Sequence, residues 1–283
     1  DWTLQPNRPK VAWPGGNKLA LLVVVALEFF PLDQPATPFK APGGMVTPYP
    51  DLRHYTLRDY GNRVGVFRVA KVLEKHGIRP TVAINSRVAE RSPFLIDFVT
   101  GKGWEVMGYG VDMGKVHYGG QDAAEEKARI QEALGVLRRA SGQPVTGWAS
   151  PAKSESMNTL DLVAAEGVEY VTDWMSDEMP FPLKTANGPL TALPLQHEMD
   201  DQTIMLQYQH TEDQFVDQLC DQCDVLHREA TAEDGRMMTL TIHPWMSGQP
   251  HRIGALDKAL GHIMGHDGVW SAPGAEIVRA AVG

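Results

Sequence analysis

Two ionisable side chains stand where a buried run of apolar residues gives out. Leu19–Leu27 reads Leu-Ala-Leu-Leu-Val-Val-Val-Ala-Leu and is followed at once by Glu28; the run 237–242, Met-Met-Thr-Leu-Thr-Ile, ends on His243 and Pro244. A carboxylate beside Phe29 and Phe30 is expected to have its pKa raised toward neutrality, because apolar surroundings disfavour the charged form, and so to act as a general base. An imidazole emerging at the same edge is suited to shuttling a proton. Each has a structural alternative: Glu28 as the anchor of the following loop through Arg58 or Arg63, His243 as a ring bonded to a neighbouring loop. Other polar residues follow other apolar runs: Asn85, Tyr109 with Asp112, Ser150, Asp173 with Trp174, and Glu198. The phenol of Tyr109, with a reference pKa of about 10, is a hydrogen-bond donor rather than a base, or else packs. Ser150 reads as a donor, and Trp174 as the wall for a flat ring or as core packing. Glu198, with Asp200 and Asp201 nearby, reads more readily as a solvated acidic loop than as part of a site. His251, after Gly-Gln-Pro, either binds substrate or caps the next helix.

The elements that must position these residues are legible as an alternation. A continuous β-branched run such as Leu19–Leu27 marks a strand buried on both faces of a parallel sheet. Further strands are expected at Thr81–Ile84, 104–107, 145–149, 170–172, 190–193 and 237–242. Between them, apolar residues at helical spacing predict helices at 64–73, 93–100, 122–140, 158–166, 212–229 and 252–265. Strand–helix alternation implies parallel βαβ units, and seven or so of them suggest a barrel rather than an open sheet. Reactive groups then gather where the strands end, because the βα loops converge there on a rigid support. The stretch 28–59, rich in Pro, Gly and aromatic residues, is expected to be an irregular functional loop. Asp59 is expected to N-cap the helix that follows it.

Composition narrows the function classes. The chain has 283 residues, 43% hydrophobic and 22% charged, with a net charge of -9. It can bury a sizeable core, and no linker composition divides it, so a single domain over 1–283 with an N-terminal arm over about 1–17 is expected. A pI near 5.6 argues against nucleic-acid or polybasic membrane contacts, which need concentrated Lys and Arg. Leu19–Leu27 is far shorter than the roughly 20 residues of a membrane span. With no leader pattern evident, a soluble cytoplasmic protein is expected. Neither a Gly-x-Gly-x-x-Gly, a Walker loop, a Gly-x-Ser-x-Gly elbow nor an internal repeat is present, which removes support from nucleotide binding, serine-hydrolase chemistry and solenoids. Cys220 and Cys223 lie in a helical pattern with no second Cys pair to complete a zinc site, and read as ordinary helix cysteines.

Several segments, in order, resemble the polysaccharide-deacetylase (NodB-like) superfamily, and within it the allantoinase-like and cyclic-imide-hydrolase-like branch. Arg58-Asp-Tyr-Gly-Asn-Arg-Val-Gly65 resembles that branch's most distinctive motif, and Thr241-Ile-His-Pro244 with Gly248-Gln-Pro-His-Arg252 its last catalytic loop. Gly103-Trp-Glu-Val-Met-Gly-Tyr-Gly110, Gly147-Trp-Ala-Ser-Pro151 and His266-Asp-Gly-Val-Trp270 fall between and after them in the expected sequence. The resemblance runs from about Val11 to the end. It implies an α/β fold, a distorted (β/α) barrel with about seven parallel strands, and a homo-oligomer. Metal-dependent members are similar to one another in a first-strand pair of Asp residues and a later His-x-x-x-His. Aligning Ala26-Leu-Glu-Phe-Phe30 and Gly108-Tyr-Gly-Val-Asp-Met113 on those motifs puts Glu28 at the base and Phe30, Tyr109 and Met113 at the three metal-ligand positions. These are poor ligands for a hard or borderline cation, so no cofactor is expected, zinc being the alternative.

What the resemblance implies is hydrolysis of a non-peptide C–N bond in a small cyclic amide or imide, allantoin-, hydantoin- or imide-like. Such ring opening needs a water, a base, stabilisation of the oxyanion and an acid for the departing nitrogen. An imide nitrogen carries a second acyl group and leaves with less activation. In this reading Glu28 and His243 are catalytic, while Asn62, Arg63, Tyr109, Asp112, Ser150, Trp174 and His251 bind substrate, with Asn62 and Arg63 polarising a carbonyl. The alternatives are a metal-dependent N-deacetylase of an N-acetyl sugar or peptidoglycan, and a barrel that binds a ligand without turning it over.

Overall fold

A computed structural model describes residues 3–32, 50 and 52–282 of the chain. In chain order, β1 (Leu19–Leu27) leads to helix α1 (Leu52–Tyr60), a π-type turn (Gly61–Gly65) and α2 (Val66–Lys75). Then β2 (Thr81–Ile84) precedes α3 (Ser86–Arg91) and α4 (Pro93–Gly101), β3 (Glu105–Gly108) precedes α5 (Ala123–Ser141), and β4 (Gly147–Trp148) precedes α6 (Thr159–Ala165). Next, β5 (Tyr170–Val171) is followed by the hairpin β6 (Phe181–Thr185) and β7 (Gly188–Ala192), then α7 (Glu212–Glu229) and β8 (Arg236–Ile242). The chain finishes with α8 (Pro244–Ser247), α9 (Ile253–Met264), β9 (Val269–Ser271) and α10 (Gly274–Val282).

The strands form one mixed sheet in the order β6-β7-β5-β4-β3-β2-β1-β8, in which seven neighbours from β7 to β8 are parallel and β6 is antiparallel. The two ends meet near the strand tips, where Asp200 bridges Thr241 in parallel and the Gln196 N–H donates to Thr239 Oγ1 at 2.9 Å. The barrel expected from the sequence is therefore present as a sheet curled on itself, with β9 added beside the first half of β1.

Because side chains alternate across a strand, parity decides what faces inward. Ala20, Leu22 and Val24 of β1 cluster with Ala83, Met107, Ala149, Tyr170 and Met237, which is the barrel interior. Leu19, Leu21, Val23, Val25 and Leu27 pack instead with the helices, as do Met238, Leu240 and Ile242 of β8. The inward parity continues through Ala26 to Glu28, through Ala83 to Asn85, through Met107 to Tyr109, and through Thr239 and Thr241 to His243. Four polar groups are thus delivered to one mouth by register alone. The opposite end is plugged: Thr81 and Tyr170 donate to the carboxylate of Glu105 at 2.6 and 2.9 Å, and the first N–H groups of α10 donate to Thr81 and Glu105.

Two expectations need correction. The irregular stretch anticipated over 28–59 contains α1, whose buried residues are His54 and Arg58, so no apolar stripe announces it. Asp59 lies inside that helix and is not an N-cap; α1, the π-type turn and α2 run on with helical backbone at Tyr60 and Gly65. The remainder of that stretch, 33–49 and 51, lies outside the described residues. Among the described residues, no helix is long and apolar enough to cross a membrane.

The two glycines of the Arg58–Gly65 motif have a steric role. A Cβ on Gly61 would sit 2.7 Å from the Trp245 backbone nitrogen, and one on Gly65 would sit 2.0 Å from the Pro244 carbonyl oxygen. Only bare glycine lets the π-type turn lie flush on α8, the element that carries Trp245 past His243. Gly65→Ala is therefore expected to lower stability by about 1–3 kcal/mol in urea titration. Gly101→Ala, where an added Cβ meets nothing within 4 Å, is the control and is expected to stay within about 0.5 kcal/mol of the parent.

Candidate active site

Asp201 is completely buried and is satisfied by one segment of chain. It accepts the His243 backbone N–H at 2.9 and 3.1 Å, the His243 ring through Nδ1 at 2.7 Å, and the Ser247 hydroxyl. Fixing Nδ1 in this way turns Nε2 toward Glu28, whose Oε1 lies 3.8 Å away. Asp200 approaches Nδ1 at 3.6 Å while its Oδ1 accepts the N–H groups of Gln202 and Thr203. Burial alone would push the His243 pKa down, but the charges of Asp200, Glu28 and Asp201 outweigh it and hold the imidazole at about 9. At neutral pH the ring is an imidazolium, a proton donor.

Glu28 is not in the apolar shell that Phe29 and Phe30 suggest. Its Oε2 accepts the Trp245 indole N–H at 3.2 Å and pairs with Arg58 at 3.9 Å. The Arg58 guanidinium stands 3.8 Å from the Trp245 ring centre and 4.7 Å from that of Phe30. Burial lowers the Arg58 pKa, with Glu28, Tyr109 and Asp201 opposing that shift, and an arginine keeps its charge under these conditions. Tyr109 is raised well above the ordinary phenol range by burial and then by the charges of Glu28, Asp200 and Asp173, so its hydroxyl keeps its proton beside the carboxylates.

The remaining sequence-derived residues distribute unevenly. The Asn62 side-chain amide donates to the Glu28 carbonyl oxygen at 2.7 Å and braces the exit of β1. Arg63 is exposed and pairs with Asp59 at 3.9 Å. Asp112 folds onto its own loop, accepting the Gly114 N–H at 2.9 Å. Ser150 is buried; its hydroxyl accepts from the Trp148 indole at 3.0 Å and its N–H donates to Asp173. Trp174 is 41% exposed and donates to Glu155 at 3.1 Å. His251 is exposed, next to Arg252, whose guanidinium binds Glu212 at 3.0 Å. Of the acidic loop, Glu198 is solvated as expected, but Asp200 and Asp201 are buried in the site.

Several contributors were not assigned roles from the sequence. Trp245, Asp201 and Lys153 are among them, whereas Arg58, expected as one partner of a loop-anchoring Glu28, pairs with it at 3.9 Å. Ala152 and Lys153 have φ of 61° and 53°, left-handed values that non-glycine residues avoid and that cluster at functional sites. Burial lowers the Lys153 pKa while Asp200 and Asp173 oppose the shift, which sets this ammonium among the acidic groups. Asp173 is itself pushed well up by burial and by Glu155, a carboxyl pair that shares a proton.

Comparison with known proteins agrees with this geometry. Residues 54–171 match the polysaccharide deacetylase family model. Over 295 aligned residues the chain is 24% identical to a Schizosaccharomyces pombe protein named for the polysaccharide deacetylases, covering 95% of this chain and 91% of that protein. The structure of PuuE allantoinase superposes with a TM-score of 0.87 at 26% identity, over 99% of this chain and 97% of that one. A Pseudomonas aeruginosa structure described as a probable polysaccharide deacetylase superposes on this chain with a TM-score of 0.86 at 27% identity, over 97% and 94% of the two chains. Residues 54–171 are thus similar to a polysaccharide deacetylase domain, and the chain as a whole has the fold of these structures.

The fit of a metal to the mouth of the barrel can be tested on its side chains. Phe30 and Met113 are buried against each other with Tyr109 packed on them, so the three positions aligned with metal ligands do converge in space, as an apolar cluster. They do not fit a hard or borderline cation. Asp200, Asp201 and His243 bring ligand atoms within 4.8 Å of one another. Asp201 and the Nδ1 atom of His243 bond each other, and Asp200 Oδ1 accepts the N–H groups of the turn after it, whereas His243 Nε2 faces Glu28 at 3.8 Å.

His243 titration is the direct readout of this arrangement. Its folded pKa of about 9 lies above the about 6.5 of an unfolded histidine, so its contribution to stability is full below pH about 6.5 and is lost as pH rises through about 9. NMR of the His243 ring should show a midpoint near 9, shifted down in Asp201→Asn; titration near 6.5 in both proteins would contradict the assignment.

Proposed function

We propose that the chain hydrolyses a carbon–nitrogen bond in a small cyclic amide or imide, using Glu28 and His243 without the metal site of its metal-dependent relatives. The observation that carries this reading is the inward-facing pair itself, a carboxylate and an imidazolium 3.8 Å apart, held from behind by Asp201 and Arg58. The likeness to PuuE allantoinase over nearly the whole of both chains supports the cyclic substrate.

The chemistry follows from the protonation states. Glu28 takes a proton from water as its oxygen bonds to the acyl carbon, and charge builds on the carbonyl oxygen. The Tyr109 hydroxyl and the local positive field of Arg58 stabilise that charge. His243 gives its proton to the ring nitrogen as the C–N bond breaks, and the proton on Glu28 then passes back to His243 to reset the site. Lys153, among the acidic groups, is placed to meet a substrate carbonyl or carboxylate. The proposal includes a small-molecule substrate and no nucleic-acid or membrane partner, in keeping with the acidic composition, and a cytoplasmic homo-oligomer, the oligomer being what the family resemblance implies.

A second reading, metal-dependent removal of an acetyl group from an N-acetyl sugar, has support of equal weight in the family match over 54–171 and in the clustering of Asp200, Asp201 and His243. One experiment separates the two. Purified protein is assayed on allantoin, hydantoins, succinimide and glutarimide, and on N-acetylglucosamine oligomers, before and after chelation, with metal content measured in parallel. Chelator-resistant ring opening is expected, with kcat reduced about 10²- to 10⁴-fold in Glu28→Gln. Chelator-sensitive deacetylation with stoichiometric metal lost in Asp201→Asn would support the second reading and overturn the first.

A further inference from the structure

Outside the barrel mouth, on the outer helical layer where α7 packs against α9, four potential ligands converge. Cys223 and Asp224 lie on α7; His262 lies on α9 and His266 just beyond its end, four residues on. Both imidazoles point Nε2 at one oxygen: His262 lies 2.7 Å and His266 3.0 Å from Asp224 Oδ1, and the two ring nitrogens are 3.3 Å apart. The Cys223 sulfur lies within 4.8 Å of the ligand atoms of Asp224 and His266. His227, one helical turn after Cys223, packs at a tilt against His266 with ring centres 4.8 Å apart and is itself bonded to the Asp267 carbonyl at 2.8 Å, which limits the His266 ring from outside.

We infer that Asp224, His262 and His266, with the Cys223 sulfur beside Asp224 and His266, form a site for a borderline divalent cation, of which zinc is the type. In a tetrahedron with metal–nitrogen bonds of about 2.0–2.1 Å, the two nitrogens stand about 3.3–3.4 Å apart. The imidazole pair already has that separation, and Asp224 needs to retreat by only a few tenths of an ångström to complete a third vertex. Two nitrogens, one carboxylate oxygen and one sulfur exclude magnesium and calcium, which take oxygen ligands. The side chains of His262, Asp224 and His266 are 38%, 46% and 27% exposed, so an ion reaches them from solvent, while Cys223 forms the buried floor. Ligation by the sulfur requires that Cys223 lose its proton as the ion binds. Read along the chain, the cysteines lack a partner pair; the fold supplies histidines from another helix instead.

Cobalt(II) is the probe, because a thiolate ligand gives it a charge-transfer absorption. Wild-type protein is expected to bind one Co²⁺ per chain at this site with that absorption, and His243→Gln to leave the signal unchanged. The double variant His262→Gln/His266→Gln, altered only at exposed positions, is expected to lose at least about 100-fold in affinity. Cys223→Ser is expected to bind without the charge-transfer band. Zinc should raise the thermal midpoint of the wild type and not of the double variant. Absence of Co²⁺ binding, or absorption that survives the double variant or disappears with His243→Gln, would overturn the proposal.

Discussion

A carboxylate with no exposure must be satisfied by the protein or it will not stay charged, and Asp201 is such a group. Its partners all come from the stretch His243 to Ser247, so the same bonds that make its burial tolerable fix where the chain goes after β8. They also choose which imidazole nitrogen faces the mouth. Removing one partner would leave a buried charge uncompensated, which ties folding and the site to one set of bonds.

The other side of the site is held by stacking rather than by close ion pairing. At 3.9 Å the Arg58–Glu28 contact is long, but the guanidinium is sandwiched between Trp245 and Phe30, and the Trp245 N–H reaches the same carboxylate. Phe30 occupies a position aligned with a metal-ligand Asp, so the substitution that removes a ligand supplies a surface for a cation. In the metal-independent reading proposed above, Arg58 and His243 are the positive charges beside Glu28. Gly61 and Gly65 permit the arrangement by letting the turn after Arg58 rest on α8.

The frame and half of the site were legible because apolar runs stop abruptly at Glu28 and His243. Both strands are continuous in their burial, and register follows from period two, so parity carries these residues to one mouth. Asp201 was not legible: a Glu-Met-Asp-Asp stretch looks solvated, and only the bridge from Asp200 to Thr241 draws it under β8. Arg58 belongs to a helix whose buried face is polar, so periodicity of apolar residues missed the helix itself. Short or half-buried elements such as β6, β9 and α3 gave too few apolar positions to register.

If an imidazolium donates the proton to the departing nitrogen while a carboxylate takes one from water, then C–N hydrolysis depends on His243 staying protonated. The decisive measurement is the pH profile of kcat/KM for wild type and Asp201→Asn on whichever amide the enzyme turns over. An alkaline limb near pH 9 is expected in the wild type, displaced to lower pH when the Asp201 charge is removed. A rate that keeps rising through pH 9, or a limb that Asp201→Asn leaves in place, would contradict it.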